Sequence, residues 1–293
     1  MRQIGSPGMV LAAVRRMALH SVVAGQLLGI VSDPRHDRTR VVQVVSCDAA
    51  LTAQVLRAAN SAAFVRRTPV TTLARATAML GESTVVGIAL GIACSRIFQH
   101  SLAGYHAERG DLWRHDLLAA LAAKRLTHFS GGQVNEDLAF TAGLLHDIGK
   151  AVLSDFLVET KPELLERLAV GRSPDFCAAE AETLGIDHPA VGRELALFWQ
   201  LPEPLPTVIG SHHRPAGAPE AVRPLVYTVH LADHLAMMAG CCTGADGMQY
   251  PLDPGYPDHL HIAAPELSLL FLEIQEEYSR ILASLGCEEG GPP

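Results

Sequence analysis

Apolar residues recur every three to four positions along most of this chain, and sustained two-residue alternation is almost absent. A chain with that periodicity hides its apolar stripes by packing helix on helix, so the expected fold is all-α, a two-lobed helical bundle. Its 293 residues allow a sizeable core without disulfide or metal staples. Asp48 reads as the N-cap of DAALTAQVLRAANSAAF, in which Leu51, Val55, Ala58 and Ala62 share a face and which ends near Asn60-Ser61. TTLARATAML follows and stops at Gly81, and a third helix runs from Glu82 to about Phe98. The polar stretch Gln99 to Gly110 separates the lobes. Beyond it, helices are expected over Asp111 to Phe129, Glu136 to His146, Ile148 to Leu157, Ser173 to Leu184, His188 to Trp199 and Arg223 to Ala239, with a short one ending at His212-His213 before Pro215. Cys241 to Pro265, dense in Gly, Pro and Asp, reads as a long irregular loop, and a final amphipathic helix packs back on the body or on a second copy. The organisation expected is therefore 9–105, 106–240 and 241–293.

Several function classes fall away. Cys47, Cys94, Cys177, Cys241, Cys242 and Cys287 form no CxxC pair and no secreted framework, which fits a reducing compartment. The N-terminus lacks the features of a secretory signal, and the longest apolar stretch, Val85 to Cys94, falls short of the roughly 20 residues of a membrane-spanning helix. A cytoplasmic protein without a membrane span is expected. The net charge of -8 argues against nucleic acid as a partner, with Arg66-Arg67 read as solvated surface.

Chemistry concentrates in GLLHDIGK, Gly143 to Lys150, where adjacent His146 and Asp147 at a helix end can aim two ligand types at one point. The bland alternative is a pair that satisfies the helix terminus. Other residues add weight. His115 shares a face with Ala119, Ala122 and Leu126, and Asp233 interrupts the apolar stripe of Val222, Val226, Val229, Ala236 and Met237. A buried carboxylate needs a cation or a hydrogen-bond set. With His188, His212 and His213 these residues form an imidazole and carboxylate set without thiolates, suited to Fe, Mn, Ni or Zn, in a mononuclear site or a binuclear one bridged by Asp147. His20, His36, His100, His106, His128, His234, His259 and His261 read as surface or loop residues, and His230 is a weaker candidate. Asn60 and Ser61 read as helix-ending residues, Glu180 as part of a buried network or an exposed face, and Trp113 and Trp199 as packing residues. Vicinal Cys241-Cys242 makes no redox motif.

These residues resemble the HD superfamily of metal-dependent phosphohydrolases, and the ordered blocks resemble its HDOD branch. DAALTAQVLRAANSAAF, ARATAMLG, LWRHDLLAALAAKRL, EDLAFTAGLLHDIGK, AEAETLGIDHPAVG and FWQLPEPLPTVIGSHH are all similar to that family, up to about residue 215. The resemblance implies an HD-like bundle in the second lobe and a bacterial regulatory protein that binds signalling proteins, with a retained metal site and without established hydrolysis. The HD-GYP branch, which cleaves cyclic di-GMP, is similar only in the second lobe. By that likeness the seven residues would hold metal, Asp147 would serve catalysis and Lys150 would contact phosphate; the plain alternative for Lys150 is a helix-surface lysine. The branch hallmark is poorly met, because His212-His213 leads into Arg214-Pro215-Ala216-Gly217, and Gly255-Tyr256-Pro257 follows Asp233 instead of preceding it. The alternative expectation is thus a metal-dependent phosphodiesterase acting on a nucleotide or cyclic dinucleotide. A homo-oligomer is compatible with either reading.

Overall fold

The computed structural model describes residues 6–16, 22–31, 33, 35–61, 69–93 and 101–285. Among them the chain is helical, with no strand beyond one isolated bridge between Leu102 and Ala107. Ala62, Arg66-Arg67, Cys94, Phe98, Gln99, His20, His100 and Cys287 lie outside the described residues.

The first six helices are α1 (Pro7–Val14), α2 (Val22–Val31), α3 (Arg38–Ser46), α4 (Ala49–Ala59), α5 (Leu73–Leu80) and α6 (Glu82–Ala93). Side-chain caps start three of them: Asp37 accepts from Thr39 N, Asp48 from Leu51 N and Thr72 from Arg75 N. Asn60 ends α4 and ties it to the next segment, donating to the Leu56 and Val70 carbonyls and accepting from Val70 N. Gly81, at φ 82°, turns the chain from α5 into α6.

The remaining helices are α7 (Asp111–Leu126), α8 (Glu136–Leu145), α9 (Ile148–Leu157), α10 (Lys161–Ala169), α11 (Phe176–Leu184), α12 (His188–Phe198), α13 (Leu205–Ser211), α14 (Arg223–Met238) and α15 (Ala264–Leu285). Asn135, Asp175 and Asp187 cap α8, α11 and α12. The expected helices recur with small shifts: the Asp111 helix passes into a 3-10 turn at Thr127–Phe129, and the one expected from Ser173 begins at Phe176, behind its Asp175 cap. Helices α1, α2, α3 and α10 were not anticipated, although Pro162 in the first turn of α10 and the Glu163–Arg167 pair four residues apart are helix signals.

Helix α7 is the hub, buried along most of its length and packed on α8, α14 and α15. Helix α14 is buried continuously from Leu225 to Met237. The N-terminal helices join this body where α2 and α6 meet α8, where α1 meets α9 and α12, and where α15 reaches α4. Trp113 of α7 packs its indole on Gly91 of α6, where a Cβ would collide. No single helix among the described residues is long and apolar enough to cross a membrane.

Two glycines of GLLHDIGK set the crossings that matter. A Cβ on Gly143 would strike the Ala119–Ala120 backbone of α7, and one on Gly149 would strike the His188 carbonyl and the Gly192 amide of α12. The helices therefore touch backbone to backbone. Gly149→Ala is expected to destabilise the fold by about 1–3 kcal/mol, the usual range for overpacking. Gly25→Ala, in the exposed interior of α2 with open space around it, is expected to stabilise by roughly 0.5–1 kcal/mol. Urea unfolding of both variants checks the contrast.

Candidate metal centre

His146 and Asp147 occupy the break between α8 and α9, at the floor of the bundle interior. His146 Nδ1 donates to the Gly143 carbonyl at 2.7 Å, so this side chain does satisfy a helix end. Asp147 does not: its carboxylate caps no amide, Oδ1 is buried without a hydrogen-bond partner, and Oδ2 meets only the Lys150 ammonium. The capping explanation thus covers half of the pair and fails for the acid.

The seven residues singled out from the sequence converge around Asp147. On one side, His115 Nε2 of α7 lies 3.3 Å from His146 Nε2, 3.5 Å from Asp147 Oδ2 and 3.2 Å from Asp233 Oδ1 of α14. His146 Nε2 is 3.6 Å from the same two carboxylate oxygens. On the other side, Asp147 Oδ1 faces His188 Nε2 at 3.3 Å and His212 Nε2 at 3.5 Å, and His213 Nδ1 lies 3.7 Å from Asp233 Oδ2. Every one of these side chains is at most 5% exposed.

The outer shell orients the rings. His115 Nδ1 donates to the Cys241 carbonyl and His212 Nδ1 to the Ile209 carbonyl, both at 2.7 Å. A carbonyl can only accept, so in the neutral ring the Nε2 lone pair points into the centre. Glu180 of α11 does the same for His188, accepting from its Nδ1 and its backbone N at 2.8 Å each. Tyr105 donates to the other oxygen of Glu180 at 2.6 Å, which places this acid in a buried network and not on an exposed face.

Whether such a set fits a metal is tested by what it leaves unsatisfied. Asp147 Oδ1, His188 Nε2, His212 Nε2, both His213 nitrogens and Asp233 Oδ2 have no hydrogen-bond partner, and Asp147 Oδ2 is met only by the Lys150 ammonium. Separations of 3.2 to 3.6 Å between facing donors are close to the edges of a polyhedron built on metal–ligand bonds of about 2.1 Å, which span about 3.0 to 3.4 Å. Two groups, Asp147 with His188, His212 and His213, and His115 with Asp116, His146 and Asp147, each bring ligand atoms within 4.8 Å of one another. Buried His and Asp clusters that could hold a metal are therefore present, with Asp147 common to both.

Electrostatics point the same way. Burial opposes charge on every group here, yet Lys150 and His146 hold Asp147 well below the usual carboxylate range, and the facing His115 and His146 rings do the same for Asp233. Conversely, burial lowers the His146 imidazole, but Asp147 and Asp233 outweigh it and raise the ring to about 9. His115 and His188 are raised as well, against burial, by Asp233 and by Glu180 respectively. His212 is pushed down to about 4 and His213 well below its ordinary value, both chiefly by burial. The two central carboxylates thus demand cationic charge, which the Lys150 ammonium supplies in part and which favours the protonated form of the His115, His146 and His188 rings.

Other residues depart from expectation. Lys150 is not a surface lysine: it is 2% exposed, with Nζ 2.5 Å from both Asp147 Oδ2 and Asp246 Oδ2 and 2.8 Å from Thr243 Oγ1. His234 is buried on α14 within reach of the His230 and Tyr250 carbonyls and so is neither a surface nor a loop histidine, whereas His36 is the expected loop residue, partly buried against Glu82 at 2.6 Å. His230 props the centre from behind: its Nδ1 donates to the His212 carbonyl, and its Nε2 accepts from Asp253 N. Asp116, Asp246 and Tyr250 were missed. Asp116 is fully buried, and desolvation pushes it up to about 8; its signal was a second acid beside His115 on an inward face. Gly255-Tyr256-Pro257 opens a 3-10 turn packed by Tyr227 and lies outside the ligand groups.

A family model described as the HDOD domain matches residues 17–215. The chain is 27% identical over 203 residues to an uncharacterized protein of Treponema pallidum (strain Nichols), a match covering 69% of this chain and 39% of that protein, so the chain spans well under half of that relative. Its fold is similar to that of an HDOD domain protein with unknown function from Geobacter sulfurreducens, at 22% identity over 95% of this chain and 97% of that one, with a TM-score of 0.67. It is also similar to a candidate signal transduction protein from Marinobacter aquaeolei VT8 (23% identity, 94% and 64% covered, TM-score 0.72) and to a candidate metal-dependent phosphohydrolase from Shewanella amazonensis SB2B (20% identity, 95% and 97% covered, TM-score 0.56). At these identities the structural likeness is one of fold. With the family model matched over more than half of its length, on a helical architecture shared with solved HDOD structures, this protein belongs to the HDOD family.

Proposed function

We propose that this chain is a regulatory HDOD protein that holds divalent metal in a sealed centre and acts by binding another signalling component. The observation that carries the reading is the convergence of His115, His146, Asp147, His188, His212, His213 and Asp233 with almost no exposed surface, and with His188 Nε2, His212 Nε2, both His213 nitrogens, Asp147 Oδ1 and Asp233 Oδ2 lacking hydrogen-bond partners. A metal pair bound there would supply Lewis acidity and lower the pKa of a bound water. The residues themselves hold the charge: Asp147 faces both halves of the centre, Glu180 fixes the His188 ring, and Lys150 balances Asp147. Burial to this depth favours a structural or switching metal over one that meets substrate. A signalling role is in keeping with the description of the Marinobacter protein.

The second reading is a metal-dependent phosphohydrolase acting on a nucleotide or cyclic dinucleotide. Its support is the placement of Asp147 between two ligand groups, which suits a bridged pair, together with the description of the Shewanella protein.

Metal analysis of protein reconstituted without oxygen separates these from a metal-free scaffold. The wild type is expected to hold about two ions per chain, and Asp147→Ala fewer than one; equal content in both abandons the centre. Efficient turnover of a phosphodiester by the wild type favours the second reading. Glu180→Gln, which removes the charge behind His188, is expected to weaken metal affinity by about 10- to 100-fold in competition titrations.

Metal affinity should also rise with pH. His146 stays protonated up to about 9 without metal, and a bound ion must displace that proton. Affinity is therefore expected to gain about tenfold per pH unit for each displaced proton below pH 9. A flat profile between pH 6.5 and 8.5 contradicts the assignment of His146 as a ligand.

A further inference from the structure

The segment after α14 is the expected irregular loop, broken only by the 3-10 turn at Tyr256–Asp258, and it folds across the centre. Thr243, Asp246 and Tyr250 are at most 5% exposed. Asp246 Oδ2 contacts Lys150 Nζ at 2.5 Å and accepts from the Tyr250 hydroxyl at 2.9 Å, while Thr243 lies 3.0 Å from both Asp246 oxygens. The Tyr250 ring stacks on the His213 imidazole, with centroids 3.7 Å apart and planes 14° apart, and meets His188 edge-on at 5.8 Å. The backbone is pinned as well: Ala245 N donates to the Tyr105 carbonyl at 2.6 Å, and Phe176 N donates to the Gln249 carbonyl at 3.3 Å. Gly244, at φ 104°, lies so close to the Tyr105 carbonyl that no side chain fits there.

Lys150 is the sole ammonium among these buried groups, and it sits between two carboxylates of different origin. Asp147 comes from the bundle and is fixed by α9, whereas Asp246 arrives on a loop. A buried ammonium deprived of one partner is strongly destabilised unless another anion takes its place. The loop can therefore leave when an outside oxyanion of similar size replaces the Asp246 carboxylate. We propose that residues 241–250 form an intramolecular plug, in which Asp246 fills an oxyanion position beside the centre and Tyr250 covers His213 and His188, and that a phosphate-bearing ligand exchanges with this carboxylate to open the site.

The plug rests on reading the centre as a binding site, but it is tested on metal-free protein, so that metal content and plug stability are measured separately. Diethyl pyrocarbonate labelling of His213, a ring that burial keeps neutral, read by mass spectrometry, is compared with exposed His128 in the same molecule. In the wild type the buried ring is expected to label far more slowly than His128. In Asp246→Asn, which removes the charge and keeps the volume, labelling relative to His128 is expected to rise about tenfold or more, as a shifted local opening equilibrium requires. Inorganic phosphate, the probe anion, should bind this variant at least tenfold more tightly than the wild type by calorimetry. Tyr250→Phe, which loses only the hydroxyl contact to Asp246, should give a smaller rise in labelling and keeps the test alive should the first variant not fold. Unchanged relative labelling in the folded variants, slow or fast, overturns the plug, and equal phosphate binding overturns the anion exchange. Low metal content alongside accelerated labelling counts against the metal reading and leaves the plug intact.

Discussion

The Asp147 carboxylate is buried at the break between two helices, with no backbone amide or hydroxyl to receive its charge. An ionised acid so placed loses several kcal/mol of hydration, and only nearby positive charge can offset that. The surroundings answer this requirement. Lys150 touches one oxygen, and imidazoles from α7, α8, α12 and α13 surround both. Asp233, from α14, doubles the demand. The Lys150 ammonium and the His115, His146 and His188 rings, whose protonated forms are favoured here, answer it, as metal ions in place of those protons would.

That arrangement depends on how closely the helices approach. Gly143 lets α8 rest on the α7 backbone at Ala119–Ala120, next to His115, and Gly149 lets α9 touch the chain at His188. The glycines of GLLHDIGK thus act at two crossings, one on each side of the His-Asp pair, and those crossings carry the rings that face Asp147. Backbone acceptors at Gly143, Ile209 and Cys241, with the Glu180 carboxylate, then fix the ring orientations. The ring on Cys241 O ties α7 to the start of the loop that covers the centre.

Much of the site was legible because an ionisable residue on an apolar stripe is conspicuous. His115 and Asp233 stood out that way, and both face the centre. Charged residues outside any periodic pattern gave no such signal. Asp246 and Tyr250 lie in a stretch rich in Gly and Pro, where polarity is ordinary, and His234 sits one residue past Asp233 with nothing to mark it as inward. His36 lies in the short link before α3, and its partner Glu82 is 46 residues away. Lys150 read equally well as a phosphate contact or a surface residue, since neither of its carboxylate partners could be recognised as such from spacing alone.

The sequence by itself determined what is local: where helices begin and end, through caps such as Asp48, Asn135 and Asp187 and the turn at Gly81, and which stripes face inward, through three-to-four spacing. Chain order and residue type were enough to identify the family blocks and the seven candidate residues. Only the tertiary structure decided that those residues, drawn from five different helices and their ends, point at one carboxylate, and that the loop after α14 closes over them. Period and capping act within a turn or two of the chain. The direction of a buried side chain and the path of an irregular loop depend on contacts between segments far apart in sequence.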